Sequence, residues 1–421
     1  MDLEAVEAAV RRLALSVAAR ALEHRVNADH SDHKGPSARC ALCGGVARFA
    51  GRRIKIFISV LGRLRLERAY YHCDECAAGH CPRDKALGLL ETTLTPAVTR
   101  MVGAVGACVA FDEGRQLLAE LAGIALDAKT VERVAERLGQ EIAKDEKAVV
   151  DKGEPSAPTL YLGMDGTGIP MRPKELDGRP GKQPDGSSKT REVKLCTLWT
   201  AEGRDAEGVA VRDPGSVSYS AAIESAATCD TQQSPSDFYL RVQREASRRG
   251  FDDALRRVVL GDGAPWIWNI ADAQFPGAIQ IVDRFHVKQH LSDAAKAIWG
   301  TESAIGRQWA KERHAELDDG KIDEILRALS NHAHDCEQAR HCIDYISRNR
   351  LRMDYLHFRE MGLCTSTGVV EAGCKVVVGA RLKRAGMHWS LPGANAILAL
   401  RASRLSGRFE DFWERRAAKA A

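Results

Sequence analysis

Apolar positions along the chain change period several times. Val6, Val10, Leu13, Val17 and Leu22 recur at helical spacing, which predicts one helix within residues 1–30. From Arg53 to Val60 the pattern shifts towards alternation. Leu61-Gly62 interrupts it, and Arg63 to Arg68 alternates again, which predicts a β-hairpin. Residues 95–145 return to helical spacing. Phe111 to Leu121 carries one apolar face, Gly123 suits the position just past a helix end, and Asp127 suits an N-cap. Val131, Val134, Leu138 and Ile142 then continue a second face. Helix, short glycine-containing turn, helix is the outline of a helix-turn-helix, although most such pairs are plain helical hairpins.

A charged segment with two prolines, 146–158 (Asp151 and Lys152 among its charges), reads as a linker. Beyond it the chain alternates between strand and helix. Thr159 to Ile169 and Glu192 to Thr200 read as strands around a Gly/Pro-rich loop. A further strand is expected within Gly208 to Tyr219, around Asp213-Pro214-Gly215, and helix over 220–249. Arg256 to Leu260 and Ala278 to Val282 read as short buried strands, separated by a helical segment with Trp266 and Trp268. Phe285 to about Phe358 is helical throughout, followed by helices over Thr367–Leu382 and Pro392–Leu405. Three strands, helix, strand, helix, strand and then helices is a mixed α/β order.

Composition narrows the class without naming a function. The chain has 421 residues, 44% hydrophobic and 28% charged, as in ordinary globular proteins. The longest nearly uncharged apolar run, Met101 to Phe111, is far short of the roughly 20 residues that span a bilayer. The acidic start, Met1-Asp2-Leu3-Glu4, is not a signal peptide, so a cytoplasmic, nucleoid-associated protein is expected. In that reducing compartment, paired cysteines read as metal ligands before disulfides. The net charge of +4 is mild, but its distribution is uneven. Seven basic residues face one acid between Gly45 and Tyr70, and seven face none between Lys375 and Arg408. Such stretches suit a polyanion, or a solvated face balanced elsewhere.

Two constellations carry chemistry. Cys40-Ala-Leu-Cys43 and Cys73-Asp-Glu-Cys76 flank the expected hairpin. Each two-residue gap lets a knuckle offer two thiolates to one ion, and four thiolates complete a closed tetrahedron, so a structural zinc ribbon is expected. His72, His80 and Cys81 are spare donors. The second constellation is acidic: Asp165 late in the first strand, Asp262 directly after a buried strand, and Glu371 early on a helix. Phosphodiester chemistry at two magnesium ions needs carboxylates converging this way. Asp-Gly is also a common turn dipeptide, but the apolar run before each aspartate favours a strand end facing a cleft.

Several longer motifs stand in order. They are Met164-Asp165-Gly166-Thr167-Gly168, Thr190-Arg191-Glu192-Val193-Lys194-Leu195, Gly261-Asp262-Gly263-Ala264-Pro265-Trp266-Ile267-Trp268-Asn269, Phe275-Pro276-Gly277-Ala278, Ile281-Val282-Asp283-Arg284-Phe285-His286, Val370-Glu371-Ala372-Gly373-Cys374-Lys375 and Arg381-Leu382-Lys383-Arg384-Ala385-Gly386-Met387-His388-Trp389. Together they resemble the bacterial insertion-sequence transposases of the ISKra type, relatives of the Mutator-like superfamily, over nearly the whole chain. The resemblance implies an RNase H-like DDE catalytic domain with an all-helical insertion, the triad mapping to Asp165, Asp262 and Glu371. It implies an Asp-x2-His motif at Asp283 and His286, where the imidazole either contacts the scissile phosphate or holds a helix in place. It makes Lys375, Arg381, Lys383, Arg384 and Trp389 a DNA-contacting stretch, with Lys375 four residues after Glu371 on the same helix face. Glu360 is the nearest rival third acid, while Trp266 and Trp268 suit a core.

These readings divide the chain into an N-terminal helix (1–30), a zinc ribbon (31–90), a helix-turn-helix-like segment (91–150), a catalytic core (151–290), a helical insertion (291–365) and C-terminal core helices (366–421). The expected activity is two-metal cleavage at terminal inverted repeats, with Mg2+ or Mn2+, followed by transfer of the 3′ hydroxyl to target DNA by a dimer or larger assembly. A DNA-binding regulator with a non-catalytic α/β domain and a nuclease that cleaves without joining are the competing readings.

Overall fold

The computed structural model describes residues 2–149, 152–181, 183–184, 186–206, 208–226 and 234–420. Val150 and Asp151 of the charged linker and residues 227–233 of the helix expected over 220–249 lie outside them. The chain divides into two compact units, residues 1–142 with 408–421, and residues 143–407.

In the first unit, helix α1 (Leu3–Ala28) starts at Asp2, whose carboxylate accepts from the Glu4 amide. Strands β1 (Ser37–Arg39), β2 (Val46–Ser59), β3 (Gly62–Cys73) and β4 (Gly79–His80) then form an antiparallel sheet in chain order. The hairpin is longer than its alternation predicts, because a register shift between Phe49 and Arg52 lets pairing continue to Ala47–Cys73. Alongside β3, Glu23 accepts from the Arg65 amide at 2.8 Å and Asn27 from the Glu67 amide at 2.9 Å. Asp32 accepts from the Ala69 amide at 2.8 Å. These side chains occupy an edge that would otherwise invite another strand. Phe57, Leu64 and Leu66 bury with Ala19 and Leu89.

Helices α2 (Pro82–Ala86), α3 (Pro96–Cys108), α4 (Phe111–Ala122) and α5 (Ala128–Ala148) follow. Gly123 ends α4 at φ +68°, and Asp127 accepts from the Thr130 amide at 2.8 Å to start α5, as the spacing predicts. Val131, Val134, Leu138 and Ile142 are buried. The stripe that marks α1 in the sequence behaves differently: Val6, Val10, Leu13 and Val17 all face solvent.

The second unit is mixed α/β. Strands β5 (Thr159–Pro170), β6 (Thr190–Trp199), β9 (Ser218–Ala222), β10 (Arg256–Gly261) and β11 (Ile279–Val282) form one sheet in the order β11-β10-β5-β6-β9; β7 (Gly203–Arg204) and β8 (Ala210–Val211) pair apart from it. β5, β10 and β11 are parallel, while β6 runs antiparallel to both β5 and β9. The strand expected around Asp213-Pro214-Gly215 is a turn. Pro214 offers no amide, Gly215 sits at φ +72°, and the Asp213 carboxylate accepts from the Thr200 hydroxyl and the Glu202 and Gly203 amides.

Helix α6 (Asp237–Arg248) precedes β10, and α7 (Pro265–Gln274) joins β10 to β11. Then come α8 (Arg284–Trp299), α9 (Ala304–Asp318), α10 (Ile322–Ser330), α11 (Glu337–Asn349) and α12 (Tyr355–Glu360), the helical run read from sequence. The expected 367–382 helix is not uniform: α13 (Gly368–Gly373) passes into a π-helical stretch, Cys374–Gly379, before the short α14 (Ala380–Leu382). Arg401 of α15 (Leu391–Leu405) donates to the Val376 and Val377 carbonyls there. Among the described residues, no helix is long and apolar enough to cross a membrane.

Candidate functional site

The four knuckle cysteines meet in the first unit. Gly44 at φ +80° turns the chain back after the first knuckle, and β2 and β3 bring the second knuckle to it. Cys40 Sγ lies 3.6 Å from Cys76 Sγ, and Cys43 Sγ 3.6 Å from Cys73 Sγ, with all four sulfurs within 4.8 Å of one another. Zinc–sulfur bonds of about 2.3 Å in a tetrahedron put sulfurs about 3.8 Å apart, so the donor set fits Zn2+. The Cys43 and Leu42 amides bring the Cys40 thiol down to about 6. At Cys43 the Gly45 amide is outweighed by Cys76, Cys73 and Cys40, which push that thiol up to about 12, so the four sulfurs do not all ionise without a cation among them. His72, His80 and Cys81 stand outside this cluster.

The acidic site in the second unit is built by strand register. β5 and β10 pair in parallel with Gly163 opposite Leu260, so Asp165 and Asp262 each follow that pair by two residues. β10 pairs with β11 at Gly261–Val282, which puts Asp283 at the carboxyl end of the third strand. Asp262 and Asp283 thus directly follow β10 and β11, and Asp165 stands level with them partway along the longer β5, which runs on to Pro170. Helix α13 brings Glu371 over them. A Cβ on Gly163 would come within 2.2 Å of Val370, and one on Gly373 within 2.8 Å of Leu195, so both glycines are needed for α13 to sit this close to β5 and β6.

Asp283 is fully buried and serves as a fastener. It accepts from the Phe285 amide at 2.6 Å, capping α8, and from the Thr367 amide at 2.9 Å and the Thr367 hydroxyl, which fixes the entry to α13. Burial pushes its carboxyl up, but His286, Thr367 and Phe285 outweigh that and hold it below the usual value. His286 Nδ1 lies 3.6 Å from the same carboxylate, which raises the imidazole against the opposing effect of burial, and the side chain is 40% exposed. Asp283, His286 and Glu371 present donor atoms within 4.8 Å of one another, and Asp165 and Asp262 stand outside that cluster. Burial raises the Asp165 carboxyl, and the neighbouring Asp262 charge adds to it; the Gly166 amide, the Cys374 thiol and His286 pull the other way. Asp165 and Asp262, level in the β5–β10 register, thus feel each other's charge. Hard carboxylate oxygens fit a divalent cation.

Sequence reasoning did not single out three supports of this site. The Cys374 thiol donates to Asp165 Oδ2 at 3.3 Å. The Tyr345 hydroxyl of α11 donates to the Asp262 carbonyl at 2.7 Å, and its ring fills the space beside Gly263, at φ +97°. Thr367 grips Asp283. Only the π-helical offset and the tertiary packing bring these residues to the carboxylates, so no linear spacing announces them.

The expected DNA-contacting stretch divides in two. Lys375, Lys383 and Arg384 are exposed, and Lys383 Nζ reaches the Thr167 hydroxyl on β5. Arg381 and Trp389 are interior, which corrects their assignment to a DNA surface. Arg381 is fully buried, with its guanidinium 5.2 Å from the Trp389 ring centre, and the Trp389 indole donates to the Leu382 carbonyl at 3.0 Å. Arg401 is likewise spent inside the fold. Trp268 is buried as expected, and Trp266 is half-buried against Phe238 and Lys194. Glu360 ends α12 in solvent beside His357.

Residues 180–416 match a family described as an uncharacterised protein family, UPF0236. That range includes Asp262, His286 and Glu371, while Asp165 and the four cysteines lie before it. No curated protein matches the chain. Among solved structures, the Drosophila P element transposase strand transfer complex is similar at 10% identity, over 80% of this chain and 84% of that one, with a TM-score of 0.28.

Proposed function

The chain belongs to the uncharacterised protein family UPF0236, whose match spans more than half of it, and from its acidic site we propose that it is a DDE-type DNA transposase. The observation that carries this reading is the register of β5 and β10, which sets Asp165 level with Asp262, while α13, the helix that carries Glu371, packs on β5 at Gly163. An aspartate on the first strand of the sheet, another after the fourth and a glutamate on a late helix is the placement that an RNase H-like catalytic domain requires. The helical run from α8 to α12, standing between the second aspartate and the glutamate, further supports it.

Asp165, Asp262 and Glu371 would hold two Mg2+ ions, which supply charge stabilisation and a nucleophilic water for phosphodiester cleavage. The protein's own contribution is positional. β5 and β10 fix the two aspartates rigidly, and Asp283 fixes His286 and the start of α13, so that Glu371 arrives at a set height. His286, raised and part-exposed, donates a hydrogen bond to a phosphate oxygen when protonated. Lys383 and Arg384, beyond the end of α14, take the DNA backbone. The cysteine cluster holds one structural zinc, and the first unit, with its α4–α5 pair, recognises the element ends.

The test is a labelled duplex carrying the end of the element, incubated with the protein, Mg2+ and a target plasmid. Cleavage leaving a 3′ hydroxyl, followed by joined product, is expected. Cleavage without joining would make the protein a nuclease. Binding without cleavage would make it a regulator.

A further inference from the structure

The residues that identify α1 as a helix are not the residues that pack it. Leu3, Val6, Val10, Leu13 and Val17 alternate at spacings of three and four, the narrow seam of a two-stranded coiled coil. In the structure they are 70%, 37%, 61%, 67% and 63% exposed. The helix meets its own unit through the opposite face instead, where Leu15, Ala18, Ala19 and Val26 are buried or half-buried and Glu23 and Asn27 bind β3. A contiguous apolar seam of this kind in water marks an interface.

We propose that α1 is a homodimerisation helix, its seam packing antiparallel against the same seam of a second copy of this chain. A repeat of three and four is self-complementary, so a second copy offers the matching ridge without any new surface. The flanks admit a close neighbour, because exposed Ala9, Ala14 and Ala21 border the seam on either side. Charge selects the direction. Asp2 and Glu7 lie beside the seam at its start, and Arg20 and Arg25 beside it further on. A parallel pair sets like charges together, whereas an antiparallel pair lays each acidic end along a basic one. In that arrangement Val6 lies over the partner's Val17 and Val10 over the partner's Leu13. Arg20, which pairs with Glu23 of its own helix at 3.1 Å, comes beside the partner's Asp2. Because β3 already holds the far half of α1, the helix is formed before it associates, which lowers the ordering cost. A seam of five residues gives a dimer that depends on concentration.

The test is sedimentation equilibrium on the full chain across a concentration series. The expected mass is twice the 46.0 kDa of the chain at high concentration, falling towards one on dilution. The double substitution Val10→Glu with Leu13→Glu should hold it at one chain throughout, with helix content and bound zinc unchanged because neither side chain is part of the core. Separate preparations carrying Val6→Cys or Val17→Cys, mixed and oxidised, should give the 6–17 cross-linked peptide in mass spectrometry. Dominance of 6–6 and 17–17 peptides would overturn the antiparallel direction. A single-chain mass at every concentration, a dimer surviving both glutamates, or a monomer that instead binds anionic vesicles through α1 would overturn the interface. A monomeric variant that still cut a single DNA end would leave the catalytic reading standing.

Discussion

Asp283 accepts from the amide of Thr367 at 2.9 Å and from its hydroxyl as well, tying the end of β11 to the residue before α13 across 84 positions of sequence. Glu371 is four residues further on, so its place beside Asp283 and His286 depends on this fastening.

The first prediction follows from it. Thr367→Val keeps the shape but leaves Asp283 short of a donor in a buried place, which should cost about 1–3 kcal/mol in urea unfolding. Activity should fall by more than that loss of folded protein explains. Recovery in Thr367→Ser, which restores the hydroxyl, checks that the bond itself is responsible.

Asp283 and His286 together set a pH dependence with opposite limbs. Asp283 is held below its ordinary value of 3.8, so its contribution to stability is complete above about 4 and is lost as the medium becomes more acidic. His286 is raised above 6.5, so its contribution is complete below about 6.5 and disappears as pH rises through the higher folded value. Asp283→Asn should flatten both limbs in thermal melts across pH 3 to 9, since it removes the charge each depends on. An unchanged alkaline limb would mean that another group supports it.

Much of this arrangement is legible in the sequence. Asp165 and Asp262 declare themselves because an apolar strand leads into each, and period alone fixes strands β5, β6, β10 and β11 to within two residues or so. The two knuckles declare the cysteine cluster in the same local way. What linear pattern cannot carry is burial. Arg381 reads as a surface cation, yet it is buried against the Trp389 ring. Arg401, one of the basic residues counted between Lys375 and Arg408, is taken up by π-helical carbonyls. The α1 stripe misleads in the opposite sense, since periodicity reports an apolar face and not what covers it.

The division within the basic stretch is measurable. Lys383→Gln and Arg384→Gln should weaken binding to all DNA sequences alike, each lowering the slope of log affinity against log salt by about one. Arg381→Gln should leave that slope unchanged and lower the melting temperature, because the side chain is interior. A reduced slope from Arg381→Gln would return that residue to the surface.

Metal removal addresses the first unit. Elemental analysis should find one zinc per chain, and Cys43→Ser should lose it together with the β1–β4 sheet, because the cluster ties β1 and β2 to the end of β3. Zinc-free protein with an intact sheet would remove the ribbon.

The last prediction bears on the triad. Asp165 is raised by burial and by Asp262, so in the absence of cation the site stores repulsion between carboxylates. Asp165→Asn and Asp262→Asn relieve that repulsion, so both should fold at least as stably as the parent without added metal. Each also deletes an anionic ligand, so cleavage and joining should both vanish. Glu371→Gln should be equally inactive. Glu360→Gln, in solvent at the end of α12, should be nearly silent. Parent protein should gain thermal stability from Mg2+ or Mn2+, and the amide variants should gain less. Ca2+, with its looser coordination, should permit DNA binding with little cleavage. An active Glu371→Gln beside a dead Glu360→Gln would move the third ligand to α12. Three amide variants that all cut normally would remove catalysis from these three carboxylates.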